Sequence, residues 1–189
     1  AWEELLHRPR EERGAVHIHL VGIGGSGLSA IAGYLIERGY TVSGSDQRPN
    51  EATDELARRG ATVHRGHRAE NVAGAHLVLV SSAVPETNPE IAAARGAGIP
   101  VVKRSEFLGP VVEGLHAVAV AGTHGKTTTT SMVATVLLRA GMDPSFIVGG
   151  RLAVGPAEGQ QRSTTVSSRA GEGPFVIEAD EYDRMFLGL

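Results

Sequence analysis

AVAVAGTHGKTTTT, residues 117–130, is an apolar run that leads directly into a glycine-bounded turn carrying a Lys–Thr pair. The apolar run predicts a strand, and the spacing of the apolar residues after the turn predicts a helix. Gly122 and Gly125 let the backbone curl so that successive N–H groups converge on an anion, and the positive end of the helix dipole faces the same point. The stretch therefore predicts a phosphate-binding loop in an α/β unit.

The Lys–Thr pair completes the chemistry expected of such a loop. Lys126 would bring a mobile positive charge to the β- and γ-phosphates of a nucleotide, and the Thr127 hydroxyl could ligate Mg²⁺. The general pattern G-x-x-x-x-G-K-[ST] has a glycine where this chain has Val120, so the match is to a shortened variant. The alternative is an ordinary glycine-rich turn with a surface lysine, and the flanking strand and helix argue against it.

A second glycine turn, GIGGSG at residues 22–27, lies upstream between a predicted strand at 16–21 and a predicted helix. It fits G-x-G-x-x-G, in which the glycines permit a tight turn, the approach of a pyrophosphate and close packing of helix on strand. Asp46 ends the next short strand, 19 residues after Gly27, near the ~20 expected of a ribose-binding carboxylate. The pattern predicts a bound dinucleotide-like diphosphate, with tight packing alone as the alternative.

Composition narrows the class of protein. The chain has 189 residues, a net charge of −3 and no cysteine. The absence of cysteine excludes a disulfide scaffold and a thiolate metal site. The mildly negative net charge lacks the excess of basic residues that is typical of nucleic-acid-binding proteins. No signal peptide or membrane span is recognisable in the sequence. We therefore expect a cytoplasmic α/β protein of one or two domains that binds neither nucleic acid nor membrane, and the sequence specifies no oligomeric state.

Strand and helix patterns alternate along the chain. They predict one doubly wound parallel sheet through about residue 108, followed by a short connection punctuated by Gly109-Pro110 and Gly114. A second α/β unit then begins with the phosphate-binding loop. Residues 151–173 are rich in Gly, Ser, Thr and Gln without periodicity, which predicts a long mobile loop.

The last motif, PFVIEADEYD at residues 174–183, predicts a strand that delivers four acids to its carboxyl end. Carboxylates beside a phosphate-binding loop are suited to holding Mg²⁺ next to the phosphates. A solvated acidic turn is the alternative, and spacing alone does not say which acid binds the metal.

These motifs together resemble the Mur ligases of peptidoglycan synthesis. The resemblance runs from about Val16 to the last residue and rests on five motifs: GIGGSG (22–27), SSAV (81–84), NPE (88–90), AGTHGKTTTT (121–130) and EADE (178–181). It implies a Rossmann-like doubly wound parallel sheet domain over residues 1–110 that binds UDP-N-acetylmuramate. It implies that residues 111–189 begin the central P-loop α/β domain that binds ATP.

The resemblance also implies roles for individual residues. Lys126 would be catalytic, because it would stabilise charge on the transferring γ-phosphoryl group. Thr127 and Glu178 would bind Mg²⁺. The nucleotide sugar would contact Gly24, Gly25, Ser26, Gly27, Asp46 (on the uridine side), His67 and Ser82. ATP would contact Gly122, Thr123, His124, Gly125, Lys126, Thr127 and Thr128.

Within the family, the chain most resembles the member that joins L-alanine to the lactyl carboxylate of UDP-N-acetylmuramate through an acyl phosphate. Tyr182 instead matches a peptidoglycan-recycling member that adds a tripeptide, whereas Gly24 and Ser26 argue against that member. Because the family has three domains, residues 1–189 alone are expected to be inactive. A non-catalytic module that binds UDP-sugar or ATP is a further alternative, and a GTPase is disfavoured because no Asn-Lys-x-Asp run is present.

Overall fold

The structure, a computed structural model, describes residues 1–155 and 164–179. Its first sheet has five parallel strands in the order β3-β2-β1-β4-β5, which is the Rossmann order of the first five strands. The strands are β1 (His17–Val21), β2 (Thr41–Asp46), β3 (Thr62–Arg65), β4 (Leu77–Val80) and β5 (Val101–Lys103).

Helices cover both faces of this sheet, so the predicted doubly wound class is confirmed. They are α1 (Ser26–Glu37), α2 (Glu51–Arg58), α3 (Pro89–Gly96) and α4 (Arg104–Val112). Helices α1, α2 and α4 bury Leu, Ile and Phe side chains against one face, whereas α3 packs on a smaller apolar cluster on the other. The side chains of Asn50 and Asn88 cap α2 and α3, because each accepts a backbone N–H that has no partner inside its helix.

A second sheet of four strands has the order β6-β9-β7-β8. Its elements are β6 (Ala117–Val120), α5 (Lys126–Arg139), β7 (Ser145–Val154), β8 (Thr164–Arg169) and β9 (Phe175–Glu178). Strands β6, β9 and β7 are parallel, and β8 is antiparallel to β7. The strand that leads into the predicted phosphate loop is thus at the edge of this sheet, with β9 as its neighbour.

The two sheets share helix α1. Tyr34 of α1 meets Phe175 of β9 edge to face, with ring centroids 5.3 Å apart. A Cβ added at Gly33 would lie 2.6 Å from Ser168 Oγ of β8, so the absence of a side chain lets β8 approach the helix. Ile147, Phe175 and Ile177 therefore belong to the same apolar core as the first sheet.

Two elements differ from the sequence prediction. Gly109-Pro110 lies inside α4 and is not a connection. Proline disfavours a helix interior because it lacks an N–H and clashes with the preceding turn. Here the helix ends two residues later at Val112, and four buried side chains, Phe107, Leu108, Val111 and Val112, hold it on the core.

The long loop predicted for residues 151–173 is also wrong over most of its described part. Strand β7 continues to Val154, and β8 pairs with it in the register Leu152↔Val166 and Ala153↔Thr165, after an irregularity between Ile147 and Leu152. Polar composition suggested a loop, but Thr and Val favour a pleated, half-buried strand. Residues 156–163 of that prediction lie outside the described residues. Among the described residues, no helix combines the length and the apolar character needed to cross a membrane.

Candidate functional site

The first glycine turn connects β1 to α1 at the carboxyl edge of the first sheet. Gly22 has φ +84°, a conformation that other residues rarely adopt. The N–H groups of Gly22 and Ile23 both donate to the Ser45 carbonyl, at 2.8 and 3.0 Å. A Cβ at Gly22 would lie 3.3 Å from Ser81 Cβ. The turn is therefore held against β2 and the loop after β4 by close backbone packing.

Asp46 and Asn50 hold the Gly24 residue of this turn from both sides. The Gly24 N–H donates to Asp46 Oδ2 at 2.9 Å, and Asn50 Nδ2 donates to the Gly24 carbonyl at 3.0 Å. The other carboxylate oxygen of Asp46 accepts the Arg48 N–H at 2.9 Å. Asp46 thus lies beside the turn, and its contacts there are to the protein backbone; the ribose-binding role expected from its spacing stays a prediction. Asn50 was missed by sequence reasoning, although an Asn before a helical pattern is a capping signal.

His67 lies just beyond the end of β3 and joins a buried hydrogen-bond network. Its Nδ1 is 2.8 Å from Ser45 Oγ and 3.1 Å from Glu90 Oε2. Ser82, in contrast, is exposed and lines a separate surface pocket formed with Pro85, Arg95 and Lys103. The structure therefore does not bring Ser82 and His67 into one described cavity with the glycine turn.

Glu90 is the charged centre of that network and is fully buried. Ser45 Oγ donates to its Oε2 at 2.6 Å, Asn71 Nδ2 donates to its Oε1 at 2.5 Å, and His19 Nε2 lies 3.7 Å from Oε1. Burial alone raises the pKa of the Glu90 carboxyl, but the interactions with His19, Ser45 and Asn71 outweigh burial and lower it to about 2. Glu90 is therefore a buried carboxylate at neutral pH.

The predicted phosphate loop lies between β6 and α5. Gly125 has φ +79° and is the N-cap of α5. Lys126 Nζ donates back to the Gly122 carbonyl at 2.7 Å, across the loop. Thr123, His124 and Thr128 are exposed on the loop and the first turn of α5. The loop thus presents a helix N-terminus and a lysine at the same end of the second sheet.

Thr127 and Glu178 converge on Gly149. A Cβ added at Gly149 would lie 3.2 Å from Glu178 Oε2 and 3.5 Å from Thr127 Oγ1. The Gly149 N–H also donates to Glu178 Oε1 at 2.8 Å. Sequence reasoning missed Gly149, because the sequence alone does not show that β7 pairs with β9 and so places Gly149 beside Glu178. The acids at positions 180, 181 and 183 lie outside the described residues.

These oxygen donors fit a hard cation that is shared with phosphate. Within residues 1–155 and 164–179, no group of three or more His, Asp or Glu could hold a metal alone. Mg²⁺ characteristically takes one or two protein oxygens and completes its shell with phosphate oxygens and water. A threonine hydroxyl and one carboxylate at a phosphate loop match that requirement.

The first glycine turn and residues of the second sheet border common cavities between the sheets. One cavity of about 100 Å³ is lined by Ser26 and Gly27 of the first turn, by Arg104, and by Gly149 and Glu178 of the second sheet. A second cavity of about 250 Å³ joins Gly24 and Ser26 to Gly149, Gly150 and Arg151. A ligand anchored at the first turn could therefore extend to Glu178.

Comparison with known proteins identifies the family. A model of the Mur ligase family, catalytic domain, matches residues 17–115. The UDP-N-acetylmuramate–L-alanine ligase of Cupriavidus pinatubonensis is 52% identical over 174 residues, which are 92% of this chain and 35% of that protein. The chain thus spans little more than a third of the length of the curated relatives it matches.

Two solved structures have the same fold. The UDP-N-acetylmuramate–alanine ligase of Thermotoga maritima superimposes with a TM-score of 0.76 at 35% identity, over 87% of this chain and 37% of that one. A murein peptide ligase of Psychrobacter arcticus gives a TM-score of 0.76 at 30% identity, over 92% of this chain and 41% of that one. With a family model that matches more than half of its length, this chain belongs to the Mur ligase family.

Proposed function

We propose that this chain is the nucleotide-sugar-binding and ATP-binding part of a ligase that joins L-alanine to UDP-N-acetylmuramate in the cytoplasm. The observation that carries the proposal is the cavity between the sheets, which has Ser26 and Gly27 on one side and Glu178 on the other. A ligase of this kind must hold a carboxylate and the γ-phosphate of ATP in contact. This cavity brings the first glycine turn close to Glu178, the acid proposed to hold the metal ion beside the phosphates of ATP.

The first glycine turn would hold the diphosphate of UDP-N-acetylmuramate. Ser26 is exposed at the start of α1, so the turn offers a ligand the N-terminal end of a helix and the positive end of its dipole. Asp46 and Asn50 already bind the Gly24 peptide and would keep the turn in its binding shape. His67 and Ser82 are proposed as more distant contacts of the same ligand.

The second loop would hold ATP. Gly122, Thr123, His124, Gly125 and Thr128 would surround its phosphates, and Lys126 would exchange its bond to the Gly122 carbonyl for the charged phosphate oxygens. Thr127 and Glu178 would hold Mg²⁺, which supplies positive charge against the phosphates when bound. In phosphoryl transfer the protein need not form covalent bonds to the reacting groups. These residues are therefore expected to contribute mainly by positioning the phosphates and by stabilising their negative charge.

The proposed reaction has two steps. A carboxylate oxygen of the lactyl group attacks the γ-phosphorus, the bond from that phosphorus to the β–γ bridging oxygen breaks, and ADP leaves. The neutral amine of L-alanine then attacks the acyl carbon of the acyl phosphate. The C–O bond to phosphate breaks, inorganic phosphate leaves, the nitrogen loses a proton to solvent and an amide remains.

A member that adds a tripeptide to the same nucleotide sugar is the second candidate. The murein peptide ligase has the same TM-score as the alanine ligase, so the fold does not separate the two candidates. Sequence identity favours alanine, since among the solved structures the alanine ligase is 35% identical and the peptide ligase is 30% identical. A non-catalytic UDP-sugar or ATP module is the third candidate.

ADP release by the full-length protein separates the three candidates. We expect release in the presence of UDP-N-acetylmuramate and Mg-ATP to require L-alanine and to be at least tenfold slower with a tripeptide at equal concentration. Faster turnover with the tripeptide would favour the recycling ligase. Absence of turnover with either amine, in a protein that binds both nucleotides, would favour a binding module.

A further inference from the structure

The hydrogen bonds around His67 determine which of its nitrogens carries the proton. Ser45 Oγ is 2.6 Å from Glu90 Oε2, and both oxygens lie near His67 Nδ1, at 2.8 and 3.1 Å. A serine hydroxyl has a single proton to donate. That proton is required between Ser45 and Glu90, because a hydroxyl oxygen and a carboxylate oxygen this close would repel each other without it.

Both atoms that face His67 Nδ1 are consequently acceptors. The Ser45 oxygen has already donated its proton, and the Glu90 carboxylate has none. Nδ1 must therefore carry a proton, and in the neutral ring Nε2 is then an unprotonated acceptor. Nε2 makes no hydrogen bond within the described part of the chain, and the His67 side chain is 11% exposed.

We propose that Glu90 is a positioning residue that, with Ser45, locks His67 in the Nδ1–H tautomer, so that Nε2 presents a hydrogen-bond acceptor to an N–H or O–H group of the bound nucleotide sugar. The ligand half of this inference rests on the proposed function. Glu90 itself is fully buried, so it acts only through His67. A neutral His67 in this tautomer selects a donor on the ligand and does not select a phosphate oxygen.

Every element packed around Glu90 keeps the carboxylate in this orientation. Asn71 donates to Oε1 at 2.5 Å and is itself held by the Gly66 carbonyl at 3.1 Å. His19 of β1 faces the same oxygen at 3.7 Å. The Glu90 N–H donates to the capping side chain of Asn88 at 2.8 Å. The carboxylate therefore has no second arrangement that satisfies the same partners.

Glu90→Gln tests the tautomer because it replaces an acceptor with a donor at nearly constant volume. The amide oxygen must face Asn71, whose own NH₂ group is fixed, so the amide NH₂ faces Ser45 and His67. Nδ1 must then accept, and the proton moves to Nε2. Ser45→Ala removes the bridging hydroxyl but leaves the carboxylate beside Nδ1, so it should keep the Nδ1–H tautomer. Glu70→Gln, at an exposed position, is the matched control.

The measurement is the ¹⁵N chemical shift of the two His67 ring nitrogens, at a pH where the ring is neutral, with titration by UDP-N-acetylmuramate. We expect protonated Nδ1 in the wild type, Ser45→Ala and Glu70→Gln, and protonated Nε2 in Glu90→Gln. The affinity of Glu90→Gln for the nucleotide sugar should fall about tenfold, equivalent to about 1.4 kcal/mol. Glu70→Gln should bind as the wild type does.

The outcomes separate this inference from the proposed function. Protonated Nε2 in the neutral wild-type ring would overturn the tautomer assignment even if the nucleotide sugar binds, and that measurement requires no variant to fold. A changed tautomer with unchanged affinity would overturn the contact between Nε2 and the ligand. A wild-type protein that does not bind the nucleotide sugar would overturn the proposed function and the ligand half of the inference. The ¹⁵N chemical shifts of His67 in the unliganded protein would still test the tautomer.

Discussion

The carboxylate of Asp46 accepts a hydrogen bond from the backbone N–H of Gly24 at 2.9 Å, so the end of β2 fixes the shape of the glycine turn after β1. Removing this contact should loosen the turn before any ligand arrives. We expect Asp46→Ala to weaken binding of UDP-N-acetylmuramate about tenfold or more, because hydrogen bonds to charged groups contribute about 1.5–3 kcal/mol.

Isothermal titration of Asp46→Ala with UDP-N-acetylmuramate and with Mg-ATP checks this expectation. Asp54→Ala, an exposed acid of α2, is the control and should bind both ligands normally. Loss of Mg-ATP binding to the same extent would mean that the substitution acts through global stability.

Asn50 has two separable contributions, which a substitution can divide. Its Oδ1 caps α2, and its Nδ2 donates to the Gly24 carbonyl. Asn50→Ser keeps a good capping residue but removes the amide that reaches Gly24. We expect the melting temperature to change little and the affinity for the nucleotide sugar to fall several-fold. Unchanged affinity in Asn50→Ser would contradict the role of the Asn50 amide in shaping the turn for the ligand.

Gly149 lies where any side chain would press on the proposed metal ligand. A Cβ there would be 3.2 Å from Glu178 Oε2, so Gly149→Ala should displace the carboxylate. We expect Mg-ATP binding to weaken about tenfold and the Mg²⁺ concentration required for turnover of the full-length protein to rise. Gly155→Ala is the matched control, because its Cβ would meet nothing within 4 Å. Equal Mg²⁺ requirements in the two variants would contradict a metal role for Glu178.

The buried carboxylate of Glu90 predicts an acid-dependent stability. Its pKa is lowered from 4.5 to about 2 in the folded protein, so the unfolded chain binds the proton more tightly. The stabilisation is fully present above about pH 4.5 and is lost as the pH falls to about 2. At ~1.4 kcal/mol for each unit of pKa, the loss is about 3 kcal/mol.

Urea unfolding at pH 6, 4 and 3 measures this effect in the wild type and Glu90→Gln. Because the other acids titrate in both proteins, the difference between them isolates Glu90. We expect the free energy of unfolding to fall more steeply with acid in the wild type. Parallel curves would contradict a strongly lowered pKa.

Much of the fold followed from local patterns. The two glycine turns, the strand before each and the helix after each have strong signals in apolar periodicity and glycine spacing, and β1, α1, β6 and α5 lie where these signals predicted. Helix α4 and strand β8 were missed for a different reason. Their local composition, Gly-Pro in one and Ser-Thr in the other, is overridden by burial and by pairing with β7.

The residues of the candidate site also fall into a group predicted from local sequence and a group that was missed. Lys126, Thr127 and the first glycine turn belong to short motifs of neighbouring residues, so the spacing within each motif identifies them as candidates. Gly149 and Asn50 act through residues far away in sequence, and only the folded chain brings Gly149 to Glu178 or Asn50 to Gly24. Glu90 was passed over because a glutamate near the start of a helix is ordinarily a solvated residue that favours the helix dipole.

Calorimetric titration of the wild type and Lys126→Ala with UDP-N-acetylmuramate and, separately, with Mg-ATP is the most direct test of two distinct ligand sites. We expect the wild type to bind both, and Lys126→Ala to bind the nucleotide sugar with nearly wild-type affinity while losing Mg-ATP binding and, in the full-length protein, ATP-dependent turnover. Equal loss of both ligands in Lys126→Ala would contradict the division of the chain into a nucleotide-sugar site and an ATP site.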